Sequence, residues 1–100
     1  MKERRVRFTA TARRCADRER TWWLENRDYQ DLFATELEAA VHILAILPGA
    51  GAPYPQADIP GLRRLYIRKL TCHLYYTFDD DEVIVRTFWG ARRERGPHLP

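Results

Sequence analysis

The stretch Cys72–Trp89 reads CHLYYTFDDDEVIVRTFW, and it decides the fold of this chain. From Cys72 to Phe78 apolar residues recur at every second position, and from Val83 to Trp89 they do so with Thr87 as the one exception, which is the period of a β-strand. Asp79–Asp81 separate the two runs as a tight acidic turn. The stretch therefore predicts a pair of antiparallel strands, each with one face toward a core.

Weaker signals surround this pair. Residues 64–68 alternate arginine or tyrosine with leucine and isoleucine, which predicts a third strand just before it. The preceding stretch Pro48–Gly61 holds four prolines and three glycines, so we expect a stiff loop there. Gly90–Pro100 is polar and basic, and we expect an irregular tail over 90–100.

Two amphipathic helices are predicted in the first half of the chain. The first spans about 14 residues after a cap at Thr9 or Thr11, and its outer face is rich in arginine. In the second, apolar residues step by three and four from Phe33 to Leu47, and Pro48 ends the run. The short turn between them predicts an antiparallel hairpin of helices.

A strand signal at residues 6–8 completes the order β-α-α-β-β-β. This order predicts a small α+β domain over residues 1–100, with the helical hairpin packed on one face of a mostly antiparallel sheet. The buried stripe of the second helix, Phe33, Leu37, Val41 and Leu44, is expected to face the sheet.

Composition excludes several classes of protein. No apolar run approaches the roughly 20 residues of a membrane span, and no secretory signal follows the basic start, so we expect a cytoplasmic protein without membrane contact. Cys15 and Cys72 are too few for a disulfide framework, and no ligand spacing predicts a metal or another cofactor. Asp79–Asp81 lacks the spaced ligands of a calcium loop.

Charge is unevenly distributed along the chain. Residues 1–20 carry a balance of +5, residues 21–60 a balance of −5 and residues 61–100 a balance of +3, and arginine supplies 15 of the 17 basic residues. Arginine favours bidentate contacts to phosphate or carboxylate. The pattern suggests that nucleic acid or an acidic protein meets one side of the domain.

The element order and several short motifs resemble the RelE/ParE superfamily of bacterial toxins from type II toxin–antitoxin pairs. The resemblance begins at residues 6–12, continues through the end of the second helix and 61–65, and is most specific over 73–92. RelE-like members cut messenger RNA on the ribosome without a metal, and ParE-like members bind DNA gyrase. The resemblance thus implies growth inhibition, and neutralisation by a small acidic antitoxin encoded next to the toxin.

The ribonuclease pattern matches this chain only in part. Arg64 stands where a basic residue would touch phosphate, His73 at the position of a third-strand arginine, and Arg92 and Arg93 at a basic pair of which one is catalytic. These four residues are the catalytic candidates if the chain is a nuclease. The C-terminal aromatic residue of the nucleases has no counterpart here.

The ending Trp89-Gly90-Ala91-Arg92 is closer to the ParE side, so we expect an inhibitor that acts by binding gyrase rather than an enzyme. The expected target-binding residues are Arg64, Tyr66, Arg68, Arg86, Trp89, Arg92 and Arg93. The expected antitoxin-binding residues are Trp22, Trp23 and Tyr75. Because neighbouring residues in a strand point to opposite faces, Tyr75 and the tyrosine after it cannot both be available on one face.

Three alternatives stay open at this point. The target is the ribosome if the chain is RelE-like. A plain RNA-binding module without toxicity would need exposed aromatic pairs on the sheet. The bland alternative is a solvated strand face whose arginines pair with the acidic residues 79–82.

Overall fold

A computed structural model of the protein describes residues 3–26 and 31–90. The elements are β1 (Arg5–Phe8), α1 (Ala10–Asn26), α2 (Leu32–Ile46), β2 (Ala52–Pro53), β3 (Arg63–Ile67), β4 (Cys72–Phe78) and β5 (Glu82–Gly90), with short 3₁₀ turns at Pro48–Ala50 and Arg68–Leu70.

The five strands form one sheet in the order β1-β5-β4-β3-β2. β1 pairs in parallel with β5, and the other neighbours pair antiparallel. Both helices pack on one face of this sheet, so the predicted α+β architecture is confirmed. The two-residue strand β2 was not predicted, because it lies inside the proline-rich segment that the sequence marks as loop.

The acidic turn between β4 and β5 is built by one side chain. Oδ1 of Asp79 accepts hydrogen bonds from the backbone N–H groups of Asp81 and Glu82, at 2.8 and 2.9 Å. An aspartate that bonds the backbone two and three residues onward fixes a tight turn. This turn sets the pairing register of β4 and β5. The register shifts by one residue between Tyr75 and Tyr76, since Thr87 lies opposite Tyr75 while Val85 lies opposite Tyr76.

Thr9 caps α1 and ties it to the sheet. Its Oγ1 accepts the N–H of Ala12 at 3.0 Å and donates to the carbonyl of Arg86 at 3.1 Å. Thr9, rather than Thr11, is therefore the cap, and the helix is 17 residues long, three longer than the sequence predicts. Most of the short turn expected between the two helices lies outside the described residues.

The core lies between the helices and the sheet. Phe33 and Leu44 of α2 are buried as expected, whereas Leu37 and Val41 are only half-buried. Both strands of the central pair contribute core side chains, Leu74 and Tyr76 from β4 and Val83 and Val85 from β5, all with no exposed surface. Within residues 3–26 and 31–90, no helix has both the length and the apolar character needed to cross a membrane.

Candidate functional site

The sheet face opposite the helices carries a dense group of aromatic and basic side chains, here called the open face. Alternation along each strand and the register between strands place it there. Its members are Tyr54, Arg64, Tyr66, His73, Tyr75, Arg86 and Trp89.

Three rings form a row across the sheet near one end. Tyr66 on β3 lies opposite His73 on β4, which lies opposite Trp89 on β5. The ring centroids of Tyr66 and His73 are 4.9 Å apart. Tyr66 is 47% exposed, and the other two side chains are half-buried. This aromatic row offers flat, rigidly held apolar surface to a partner.

Arg64 lies one step along the sheet from the aromatic row. Its guanidinium carbon is 5.0 Å from the centre of the Tyr54 ring, a cation–π distance. Tyr54 in turn meets Tyr75 edge to face, with centroids 5.1 Å apart. The two tyrosines hold the half-exposed Arg64 guanidinium against the sheet, ready to bind an anionic group.

The proline-rich loop reaches the open face because it is anchored at its start. The buried hydroxyl of Tyr76 donates to the carbonyl of Pro48 at 2.6 Å and accepts the N–H of Gly51 at 2.9 Å. Arg63 donates to the carbonyls of Gly49 and Gly51. A side chain at Gly51 would begin 2.5 Å from the carbonyl oxygen of Arg64, so only glycine fits there.

After this anchor the chain pairs briefly as β2 and turns Tyr54 toward the sheet. The N–H of Tyr54 donates to the carbonyl of Leu62 at 2.9 Å. Sequence reasoning missed Tyr54, because a loop residue carries no periodicity that would assign it to a face. Its only signal is that it is the single aromatic residue among the prolines of this segment.

Burial and charge shift two titrating groups of the open face. Burial, assisted by the nearby charge of Arg64, lowers the pKa of His73 below its ordinary value of 6.5. The imidazole is therefore neutral at pH 7 and able to accept a proton. Burial raises the pKa of Tyr75, and a hydrogen bond with Arg64 offsets part of that rise.

The structure brings several of the predicted site residues together. Three residues expected to bind the target, Arg64, Tyr66 and Trp89, are neighbours on the open face, and His73, a candidate catalytic residue, lies among them. Arg86 lies farther along β5, where its Nε donates to Oγ1 of Thr77 at 3.1 Å. The carboxylate of Glu82 pairs instead with Arg7 on the edge strand, at 3.3 Å, whereas the Arg64 guanidinium lies over the Tyr54 ring.

Arg68 does not lie on the strand face where the sequence places it. It was expected to share a strand face with Arg64 and Tyr66, but it begins a 3₁₀ turn instead. Thr71 then adopts a left-handed conformation with φ of 49°, which turns the chain sharply into β4. Arg68 is exposed and lies beyond the end of β3.

Two of the residues expected to bind an antitoxin are buried in this structure. Trp23 is 6% exposed and Tyr75 is 2% exposed, so neither presents a surface to a partner. Trp23 packs in the core, and Tyr54 helps to cover Tyr75. Trp22 is half-buried and meets Trp23 edge to face, with centroids 5.6 Å apart. Arg92 and Arg93, like the expected tail beyond Gly90, lie outside the described residues.

Both cysteines are buried, and neither forms a disulfide bond within the described residues. Sγ of Cys15 contacts Oγ1 of Thr87 at 3.4 Å and Nη2 of Arg18 at 3.2 Å. Burial acts to raise the pKa of this thiol, but these hydrogen bonds outweigh it and lower the pKa. No group of three or more potential metal ligands occurs in the part of the chain that the structure describes.

The chain is similar to known proteins in its three-dimensional structure but not in its sequence. No protein-family model matches the chain, and no curated protein matches it by sequence. A chain from the chromosomal ParDE toxin–antitoxin system of P. aeruginosa superposes with a TM-score of 0.66 and 15% identity, covering 86% of this chain and 94% of that one.

Two further solved structures agree with this. A chain of the RelBE2 toxin–antitoxin complex from Mycobacterium tuberculosis has a TM-score of 0.64 and 24% identity, covering 90% of this chain and 93% of that one. One from the E. coli DinJ-YafQ toxin–antitoxin complex has a TM-score of 0.62 and 13% identity, covering 94% and 99%. The chain therefore has the RelE/ParE-type toxin fold that its sequence predicts.

Proposed function

We propose that this protein is the toxin of a type II toxin–antitoxin system, and that the open face binds its target. The single observation that carries the proposal is the aromatic row of Tyr66, His73 and Trp89 beside Arg64, whose guanidinium is held over the Tyr54 ring, on a RelE/ParE-type toxin fold. A merely solvated strand face needs no such row, and exposed aromatic side chains cost solubility.

The residue types of the open face suit a binding surface. Tyrosine, tryptophan and arginine dominate the energetic hot spots of protein interfaces. Here they stand on β-strands, so little side-chain entropy is lost when a partner binds. Tyr66, the most exposed ring of the row, is the expected centre of the contact.

The first candidate target is DNA gyrase, so the chain is a ParE-like inhibitor that acts by binding. The closing-strand motif from Trp89 to Arg92, which resembles the ParE side, supports this choice. Growth inhibition then follows from a complex and not from catalysis. The proposal implies a cytoplasmic location, where gyrase acts.

The second candidate is a RelE-like, ribosome-dependent messenger RNA endonuclease, favoured by the proximity of His73 to Arg64. A neutral imidazole is able to take the proton of a ribose 2′-hydroxyl. The 2′ oxygen then bonds to phosphorus, the bond to the 5′ oxygen breaks, and that oxygen takes up a proton. Arg64 would stabilise the charge on the phosphate, and the aromatic row would stack on bases.

An antitoxin completes the proposal. The solved structures that share the fold come from toxin–antitoxin systems, and two of them are toxin–antitoxin complexes. An acidic segment would complement the arginines of the open face. Such a segment would compete directly with the target.

The test is expression of the chain from a tightly repressed promoter, with gyrase supercoiling and messenger cleavage assayed in parallel. Arg64→Ala should relieve growth arrest, while Arg13→Ala, an equally charged change on exposed α1, should not. Loss of supercoiling in the parent assigns gyrase, and cut ribosome-bound messenger that His73→Gln abolishes assigns the nuclease. Unimpaired growth at high levels of folded protein would refute the toxin proposal.

A further inference from the structure

The outward face of α1 is rich in arginine and lies on the helix side of the sheet, away from the open face. All the arginines of this helix are exposed, namely Arg13, Arg14, Arg18 and Arg20. The exposed acidic residues of the helix are Asp17 and Glu25, whereas Glu19 is buried. This face therefore carries an excess of positive charge, on a chain whose net charge is +3.

The arginines of α1 form two rows along the helix. An α-helix turns by about 100° per residue, so residues seven apart lie nearly in line and residues four apart lie one turn apart. Arg13 and Arg20 form one row, and Arg14 and Arg18 form the other, about a third of the circumference away. Between the two rows runs a stripe of exposed residues, Asp17, Thr21 and Leu24.

These arginines are not neutralised within the protein. Asp17 stands four residues after Arg13 and three after Arg14, spacings at which side chains of a helix are able to pair. No ion pair joins any arginine of α1 to another residue within the ranges 3–26 and 31–90. Their charge is therefore available to a partner.

Two of the guanidinium groups are held along the flank of the helix. Nη2 of Arg14 donates to Oγ1 of Thr11 at 3.3 Å, and Nη2 of Arg18 donates to Sγ of Cys15 at 3.2 Å. Each bond reaches back three residues, so both side chains of this row run toward the start of the helix. Side chains held in this way lose less conformational entropy when they bind a partner.

This arrangement fits the major groove of duplex DNA. The groove is about 12 Å wide and admits an α-helix, whose diameter with side chains is about 10–12 Å. With the stripe between the rows turned toward the base edges, each arginine row reaches the phosphates of one of the two strands that border the groove. Arginine binds phosphate through paired hydrogen bonds, which position a protein on DNA without reading its sequence.

Other partners fit this face less well. A helical protein segment needs an apolar seam, but the stripe between the rows contains Asp17 and Thr21 beside a single apolar residue, Leu24. Duplex RNA has a deep, narrow major groove that side chains cannot enter. The carboxylate of Asp17 is compatible with DNA, because it is able to accept a hydrogen bond from the amino group of cytosine.

We infer that α1 binds duplex DNA by lying in the major groove, with its two arginine rows on the phosphates of the two strands. The inference goes beyond the proposed function, because α1 faces away from the open face and its contact with DNA does not depend on toxicity. The domain then has two separate binding surfaces, the open face for the target and α1 for DNA.

A salt titration tests this contact with the full chain. Binding to a labelled duplex of about 20 base pairs and mixed sequence is measured by fluorescence anisotropy between about 50 and 200 mM salt. Four phosphate contacts predict a slope of about −3.6 when the logarithm of the binding constant is plotted against that of the salt concentration. An RNA duplex of the same sequence should bind at least about tenfold more weakly.

Paired variants locate the contact on the helix. Arg13→Ala with Arg20→Ala removes one row, and Arg14→Ala with Arg18→Ala removes the other. Each pair should reduce the magnitude of the slope by about 1.8, since each lost phosphate contact contributes about 0.9. Arg14→Lys with Arg18→Lys keeps the positive charge, so its slope should stay within about 0.5 of the parent value.

A matched control separates this contact from the effect of net charge. Arg5→Ala with Arg68→Ala removes the same charge from exposed positions outside α1, and should change the slope by less than about 0.5. Equal losses of slope in this control and in the row variants would show that net charge alone attracts DNA, and would overturn the inference. Binding of the RNA duplex as tight as that of DNA, or no binding of DNA at about 50 mM salt, would overturn it as well.

Discussion

Removal of a single buried hydroxyl should loosen the loop that completes the open face. In Tyr76→Phe, the carbonyl of Pro48 and the N–H of Gly51 both lose their hydrogen bonds to the Tyr76 hydroxyl. Each buried polar group left without a partner costs about 1–3 kcal/mol, and single substitutions rarely exceed about 4 kcal/mol. We therefore expect the free energy of unfolding to fall by about 2–4 kcal/mol.

Chemical denaturation of the parent and the variant measures this change. A domain of this size should also lose at least about 8 °C in melting temperature, since each kcal/mol corresponds to about 4–8 °C. Tyr66→Phe is the matched control, because that side chain is 47% exposed, and its effect should stay within about 0.5 kcal/mol. A loss below about 0.5 kcal/mol in Tyr76→Phe would show that this hydroxyl does not hold the loop.

Three further sets of variants test the packing of the core, the titration of His73 and the contact between Tyr54 and Arg64. Leu44→Ala, at a fully buried position, should cost about 2–5 kcal/mol by denaturant unfolding, and Leu37→Ala, at a half-buried one, measurably less. Because the pKa of His73 is lowered on folding, the unfolded chain binds more protons, so stability should fall as pH drops below 6.5, and His73→Gln should flatten that slope. A double-mutant cycle of Tyr54→Leu and Arg64→Met should give a coupling free energy of unfolding of about 0.5–1 kcal/mol, because the two side chains form a cation–π contact. Additive effects of the two substitutions would show that this contact does not stabilise the fold.

Periodicity was sufficient for the two helices and for the strands other than β2. Alternation over 72–89 placed both central strands within a residue of their observed limits, and the aspartate turn set their pairing. Alternation also separated Tyr66 and His73 from the core side of the sheet. The open face was predictable to that extent, because successive side chains of a strand point to opposite faces of the sheet.

Alternation along a strand assigns each side chain to one face of the sheet, but it does not show which other segment covers that face. Tyr75 lies on the opposite side of β4 from Tyr76, yet both are buried, because Tyr54 arrives from a segment without periodicity. The short strand β2 arises from the anchored loop and not from its own propensity. The sharp turn at Thr71, which removes Arg68 from the strand face, depends on how two strands are joined and has no signal in residue type.

The parallel pairing of β1 with β5 has a genetic consequence. Residues 5–8 bond to residues 82–85, and β5 also pairs with β4, so the sheet closes only after these late residues have been synthesised. A frameshift or stop codon anywhere before β5 therefore deletes an interior strand and leaves both β1 and β4 without it. We expect truncating mutations just before the codons of β5 to inactivate the protein as completely as early ones, so selection for escape from growth arrest should recover both.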